Sequence, residues 1–256
     1  MKLFPFTFVF AIATSILFSS DSLKVGMELT YPPFETIDKS GKPAGISVEF
    51  CQKLAAYLGK NLIIENIPFT GLIPALQSNK IDLIMSSMTV TEERKKSIDF
   101  SDPYIRAGLC LLVSKNSPIQ DIKEADDKNR TIVVKLGTTG QVYAQKHLKS
   151  AKILVLEKES ACILEVVQGK ADAFIYDQFS IFSDWKKNPN TTRALLKPFS
   201  LEPWAIGIRK NNEALLIRVN TFIKEFREKG GMDELADKYL HDQKVAFKQL
   251  GIPFLY

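Results

Sequence analysis

Met85-Ser86-Ser87-Met88-Thr89-Val90-Thr91-Glu92-Glu93-Arg94, followed closely by Phe100-Ser101-Asp102-Pro103-Tyr104, is the stretch on which the fold turns. Its lead-in, Ile81 to Met85 with Asp82 inside, is an apolar run that reads as a buried strand. A cluster of hydroxyls follows, then a charged segment that opens a helix and ends in an arginine. Hydroxyls and backbone N–H groups at a strand end, with one guanidinium nearby, form a receptor for a small anion such as a carboxylate.

Outward from that unit, strand and helix alternate. Upstream, Leu23 to Met27 reads as a first strand, and Ile46 to Leu58 carries apolar residues at helical spacing and closes on Gly59. Asn61 to Ile67 is strand-like, and Gly71 to Ser78 is a short helix. Downstream the alternation restarts. Leu109 to Val113 is a strand, and Asn116 to Asn129 is a polar connection. Strands are expected over Thr131–Val134, Ile153–Leu156 and Ala173–Tyr176, with helices opening at Gly137–Gly140 and over Ser160–Gln168. Trp204 to Arg209 reads as a late strand. Helices over Glu213–Lys229 and Met232–Leu240 close the pattern, and His241 to Tyr256 is a tail with no legible packing. Such alternation implies α/β units with mainly parallel sheets and covering helices.

At 256 residues there is room for two lobes, and 45% apolar with 25% charged residues excludes disordered and fibrous classes. The net charge of +5 is spread along the chain. Arg94-Lys95-Lys96 and Lys186-Lys187 read as solvated helix faces, so no nucleic-acid partner is expected. Lys2, the apolar run Leu3 to Phe18 and then Ser19-Ser20 match a secretory signal peptide over residues 1–20, shorter than a membrane span of ~20 apolar residues. A periplasmic location follows. Cys51, Cys110 and Cys162 sit in apolar patterns and read as buried thiols, although one bridge with one thiol left over is the other option. No Cys/His spacing suggests a metal, and no cofactor is expected.

Several residues admit two readings. Arg94 is either a carboxylate receptor or a surface residue in an Arg-Lys-Lys run. Asp177, after the apolar strand Phe174-Ile175-Tyr176, is either a carboxylate facing a crevice at a strand end or a helix N-cap. Gly137-Thr138-Thr139-Gly140 looks like a phosphate cradle, but no Walker lysine or dinucleotide fingerprint accompanies it.

Together with Tyr31-Pro32-Pro33-Phe34-Glu35, Gly71 to Ala75 and the closing Gly231–Tyr239 segment, these motifs resemble the bacterial extracellular solute-binding proteins of family 3, the amino-acid receptors of ABC importers. The resemblance covers about residues 23 to 240. It implies a two-lobed type II periplasmic binding protein fold with the ligand between lobes: lobe 1 from 23–109 plus 200–256, lobe 2 from 112–197, and two hinge crossovers. By the same resemblance, Ser86, Ser87, Thr89 and Arg94 hold the ligand α-carboxylate and Asp177 receives its α-ammonium. Thr139 adds a contact from the second lobe. Tyr31 and Phe69 sandwich the side chain, whose polar end meets Glu28 and Lys135. An acidic Glu28 beside aromatics favours an arginine-like cation, whereas a Lys135–Glu28 pair favours glutamine; both stay open. One departure stands out: Ser47 occupies a position where the family usually has an acidic residue, expected to lie off the pocket.

The implied function is therefore binding, not catalysis: a monomeric receptor for a polar or basic amino acid that docks on a membrane permease when closed. Two rivals share the fold. A cyclohexadienyl (prephenate/arogenate) dehydratase would need Glu28 or Asp177 as general acid, and an amino-acid sensor would bind without transport.

Overall fold

The alternation is realised as two mixed five-stranded sheets in the computed structural model, which describes residues 22–252. The expected leader lies outside these residues. The chain starts with β1 (Ser22–Met27), where Leu23, Val25 and Met27 are buried and Lys24 is exposed. A small hairpin, β2 (Thr36–Ile37) and β3 (Pro43–Ala44), leads into α1 (Ile46–Leu58) and β4 (Asn61–Asn66). Then come α2 (Leu72–Gln77), β5 (Leu83–Ile84), α3 (Glu92–Ser97) and β6 (Asp99–Phe100).

The chain then passes to the second sheet through β7 (Ile105–Ser114), β8 (Thr131–Lys135), α4 (Thr139–His147) and β9 (Lys152–Leu156). There follow α5 (Glu159–Val167), β10 (Ala173–Asp177), α6 (Gln178–Lys187) and the long β11 (Thr192–Trp204). It returns through β12 (Gly207–Ile208) and finishes with α7 (Glu213–Glu228), α8 (Gly231–Tyr239) and α9 (His241–Gln249).

The strand orders are β4-β1-β5-β12-β6 and β11-β7-β10-β8-β9. In each sheet four of the five strands point one way, with β12 opposed in the first and β7 in the second. The expected α/β class with mostly parallel sheets and flanking helices is the one observed. β7 and β11 pair antiparallel from Ile105↔Trp204 to Thr192↔Ser114, with a register break between Leu195 and Ser200. The change of sheet therefore falls at Ser101–Tyr104 and Ala205–Ile206.

Two expectations are corrected. The late strand is split: Trp204 ends β11, and only Gly207 and Ile208 form β12. Pro198 and Pro203 interrupt β11 and mask its strand pattern in the sequence. Prolines are tolerated there because β11 is an edge strand and need not donate every N–H. The tail, in turn, forms α9, whose buried Phe247 packs on Phe179 and Phe182 of α6 at 5.9 and 5.7 Å between ring centroids.

Local chemistry sets the helix ends. Gly45 precedes α1 at φ 112°, where a Cβ would lie 2.4 Å from the Phe34 carbonyl oxygen. That close approach lets Ile46 and Ser47 donate their N–H groups to the Pro33 and Phe34 carbonyls at 3.0 and 2.9 Å. The Tyr31–Glu35 segment is thereby pinned to α1. Gly140 allows α4 to lie against β10, since a Cβ there would meet the Ile175 carbonyl oxygen at 2.8 Å. All three cysteines are buried and unpaired. An aromatic cluster joins the two halves: Phe34 lies 5.1 Å from Trp204 and 5.4 Å from Phe179.

Candidate functional site

All ten residues picked out from the sequence line one cleft between the sheets. The cleft encloses about 470 Å³ of space free of protein atoms, its open mouth included. Its position follows from the topology. Glu28 comes directly after β1, Ser86 to Thr89 follow β5, and Lys135 and Asp177 are the last residues of β8 and β10. Carboxyl ends of strands are where open α/β sheets present ligand-binding groups.

Thr91 caps α3 by accepting the Arg94 N–H at 3.1 Å, which turns the arginine side chain back over its own hydroxyl cluster. Its Nη1 donates to the Thr89 carbonyl at 2.6 Å and its Nη2 reaches across the cleft to the Gly137 carbonyl at 3.0 Å. Burial pulls the guanidinium down to about 10, opposed by the nearby Glu202 carboxylate. Arg94 is thus a cleft residue rather than a surface one. Phe69 carries two cations near its ring, the Arg94 guanidinium at 5.4 Å and the Lys135 ammonium at 5.5 Å from the centroid.

Asp177 fulfils both readings at once. Its Oδ1 accepts the Phe179 and Ser180 N–H groups at 2.9 and 3.1 Å, capping α6, while the same side chain lines the cleft. Burial raises its carboxyl despite these bonds and the adjacent Tyr31 phenol. Lys135 and Glu28 form a buried ion pair across the cleft, and Glu28 Oε1 also accepts the Phe69 N–H at 3.3 Å. Ser86 Oγ accepts the Glu28 N–H at 3.0 Å. Tyr31 stands edge-on to Tyr176 at 5.8 Å, and its buried hydroxyl lies beside the Asp177 carboxyl.

Two further carboxylates, beyond those expected from the sequence, line the cleft. Glu202, on β11, takes the Thr89 and Thr139 hydroxyls on one oxygen at 2.9 and 2.7 Å. Burial raises it, partly offset by those hydroxyls and by Arg94. Glu35 is 1% exposed; its Oε2 accepts from Ser47 Oγ at 2.5 Å and Ser87 Oγ at 3.3 Å, while Oε1 has no partner. Desolvation pushes this carboxyl from 4.5 up to about 8, against the lowering effect of both hydroxyls and Lys135. Ser87 adopts φ 48°, uncommon for a non-glycine residue, and so the hydroxyl cluster is held in a constrained turn. Ser47, expected to lie off the pocket, is therefore one bond removed from its wall. Among the described residues no group of side chains could hold a metal, and no helix is long and apolar enough to cross a membrane.

Residues 23–242 match the family model of the bacterial extracellular solute-binding proteins, family 3. The chain belongs to that family. This family 3 chain is 32% identical over 219 residues to the L-cystine-binding protein TcyJ of Escherichia coli K12, covering 85% of this chain and 82% of the relative. Among solved structures it is similar to an ancestral arginine-binding protein bound to arginine, with 35% identity, a TM-score of 0.80, and coverage of 86% of this chain and 98% of the other. The ancestral amino acid-binding protein AncCDT-1, a precursor of cyclohexadienyl dehydratase, is also 35% identical, at TM-score 0.79 over 86% and 95% of the two chains. These neighbours are two-lobed, and α9 of the family 3 chain extends beyond the matched residues.

Proposed function

We propose that the chain is the substrate-binding component of an amino-acid ABC importer, exported to the periplasm and acting as a monomer that docks on a membrane permease. The observation that carries this is the cleft itself: a guanidinium and a capped carboxylate from opposite sheets line one small cavity floored by aromatics. A zwitterion supplies the two complementary charges. Its α-carboxylate goes to Arg94 with the Ser86, Ser87, Thr89 and Thr139 donors, and its α-ammonium goes to Asp177. The side chain lies between Tyr31 and Phe69, its tip toward Glu28 and Lys135. We take 23–109 with 200–256 as lobe 1 and 112–197 as lobe 2, swinging on the β7–β11 ribbon.

The Lys135–Glu28 pair bears on the ligand. Because it neutralises the acidic wall at that end, it supports a polar neutral tip such as that of glutamine alongside the cationic tips of arginine-like ligands. Calorimetric titration of ligand-stripped protein against the natural amino acids tests the reading. One of them is expected to bind at micromolar strength or tighter, about −8 kcal/mol. Arg94→Ala is expected to weaken that binding by about 2–5 kcal/mol, the cost of leaving a buried charge unpaired. Near-normal affinity in a folded Arg94→Ala protein would show that the carboxylate is held elsewhere. No turnover of prephenate or arogenate is expected; measurable turnover would replace the receptor by the dehydratase.

A further inference from the structure

We propose that Glu35 is a specificity-determining residue whose protonation state selects the ligand side chain, neutral tips when it carries a proton and cationic tips when it does not. The inference rests on the amino-acid reading above and deepens it.

The geometry distinguishes the two carboxyl oxygens. Oε2 is occupied by the Ser47 and Ser87 hydroxyls, both donating, so a proton on this acid belongs on Oε1. Oε1 is buried, takes no hydrogen bond, and belongs to a residue of the cleft wall. Glu35 lies close enough to Glu28 and Lys135, the groups proposed to receive the side-chain tip, to feel both charges, and in its neutral form it offers one O–H donor, which suits the carbonyl of a side-chain amide. An ionised Glu35 offers only acceptors and a negative charge, which suits a guanidinium or ammonium. Binding of a cationic side chain then expels the Oε1 proton to solvent.

Several titratable groups surround Glu35, among them Tyr31, whose backbone pairs with it and whose phenol is raised by burial. Glu28 and Lys135 act on it from the ends of β1 and β8. Cys51 of α1, Tyr104 before β7 and Tyr176 of β10 also feel its charge, and burial raises all three, which keeps them neutral through the mildly alkaline range. Glu35 itself is pushed up to about 8, so its charge changes near neutral pH.

The test is calorimetric titration of the full chain with glutamine and with arginine from about pH 6 to about pH 9.5, in wild type, Glu35→Gln and Ser47→Ala. Titration of the ligands' own α-ammonium groups is common to both and cancels in the ratio of dissociation constants. In wild type the ratio of glutamine to arginine is expected to rise about tenfold with pH, within the usual range of coupling between two sites. In Glu35→Gln it should be flat. Ser47→Ala removes a donor to the ionised form and should move the midpoint upward. At about pH 7, arginine binding should release protons, read as an enthalpy that depends on the buffer's own ionisation. A wild-type ratio that does not change with pH, or one that changes identically in Glu35→Gln, overturns the proposal while leaving the receptor intact. If Glu35→Gln does not fold, the wild-type ratio and the proton count still decide. Binding of neither amino acid at any pH overturns this inference while another natural amino acid still binds; binding of no natural amino acid overturns the receptor reading as well.

Discussion

Asp177 divides two duties between backbone and cleft, and the two can be separated by substitution. Asparagine is as good an N-cap as aspartate, so Asp177→Asn should keep α6 capped while removing the charge meant for the ligand ammonium. We expect amino-acid affinity to fall by about 30-fold or more, in line with truncation of a buried charge partner, with the melting temperature little changed. Asp177→Ala should lose the cap as well, costing about 1 kcal/mol of stability. Unchanged affinity in Asp177→Asn would reduce this residue to its cap. At this scale the sequence revealed the residues whose chemistry is local. Arg94 stands within reach of its own hydroxyl cluster, and Asp177 ends its own strand. Glu35 and Glu202 were not legible because their partners come from far away: Ser47 and Ser87 for one, Thr89 and Thr139 for the other. A glutamate in a proline-rich turn, or next to a proline on an edge strand, announces nothing until those segments converge.

Among the elements, α1 was readable to its ends because an apolar stripe and Gly59 mark it on both faces. β11 and α9 were not. Two prolines hide the strand, and α9 sets Val245, Ala246 and Phe247 consecutively among charged residues, without a helical period. Its anchor is nevertheless strong. Phe247 is fully buried against α6, and Gln243 Nε2 donates to Ser183 Oγ at 3.2 Å. Because α9 follows α8 while leaning on α6, it ties the return segment to the second sheet. Phe247→Ala should cost about 3–5 kcal/mol, as for large aromatic truncations in a packed core, measured by urea unfolding. A change near zero would mean that α9 rests on the fold without stabilising it.

For the whole molecule, buried carboxyls set the pH response. Glu35 rises from 4.5 to about 8 and Asp184 from 3.8 to about 7, both through desolvation. Between the ordinary values and the raised ones, the folded chain holds protons that the unfolded chain has already released. Stability from these groups is therefore full at about pH 4 and declines as the pH climbs to about 8, where the trend levels off. The ligand-free protein should melt at a higher temperature at about pH 5 than at about pH 8, and Glu35→Gln should narrow that gap. A larger consequence lies in the contacts that span the cleft: Lys135 with Glu28, Arg94 with the Gly137 carbonyl, Thr139 with Glu202. Groups assigned to the ligand are already engaged with one another, so an arriving amino acid must exchange partners rather than find them free. Exchange blunts the response to bulk ions: chloride or a stray cation meets groups that already hold partners, and bulk salt screens buried pairs only weakly. Amino-acid affinity should change less than about threefold between low and high sodium chloride. A steep salt dependence would mean instead that the cleft waits open, its charges bare to whatever the surroundings supply.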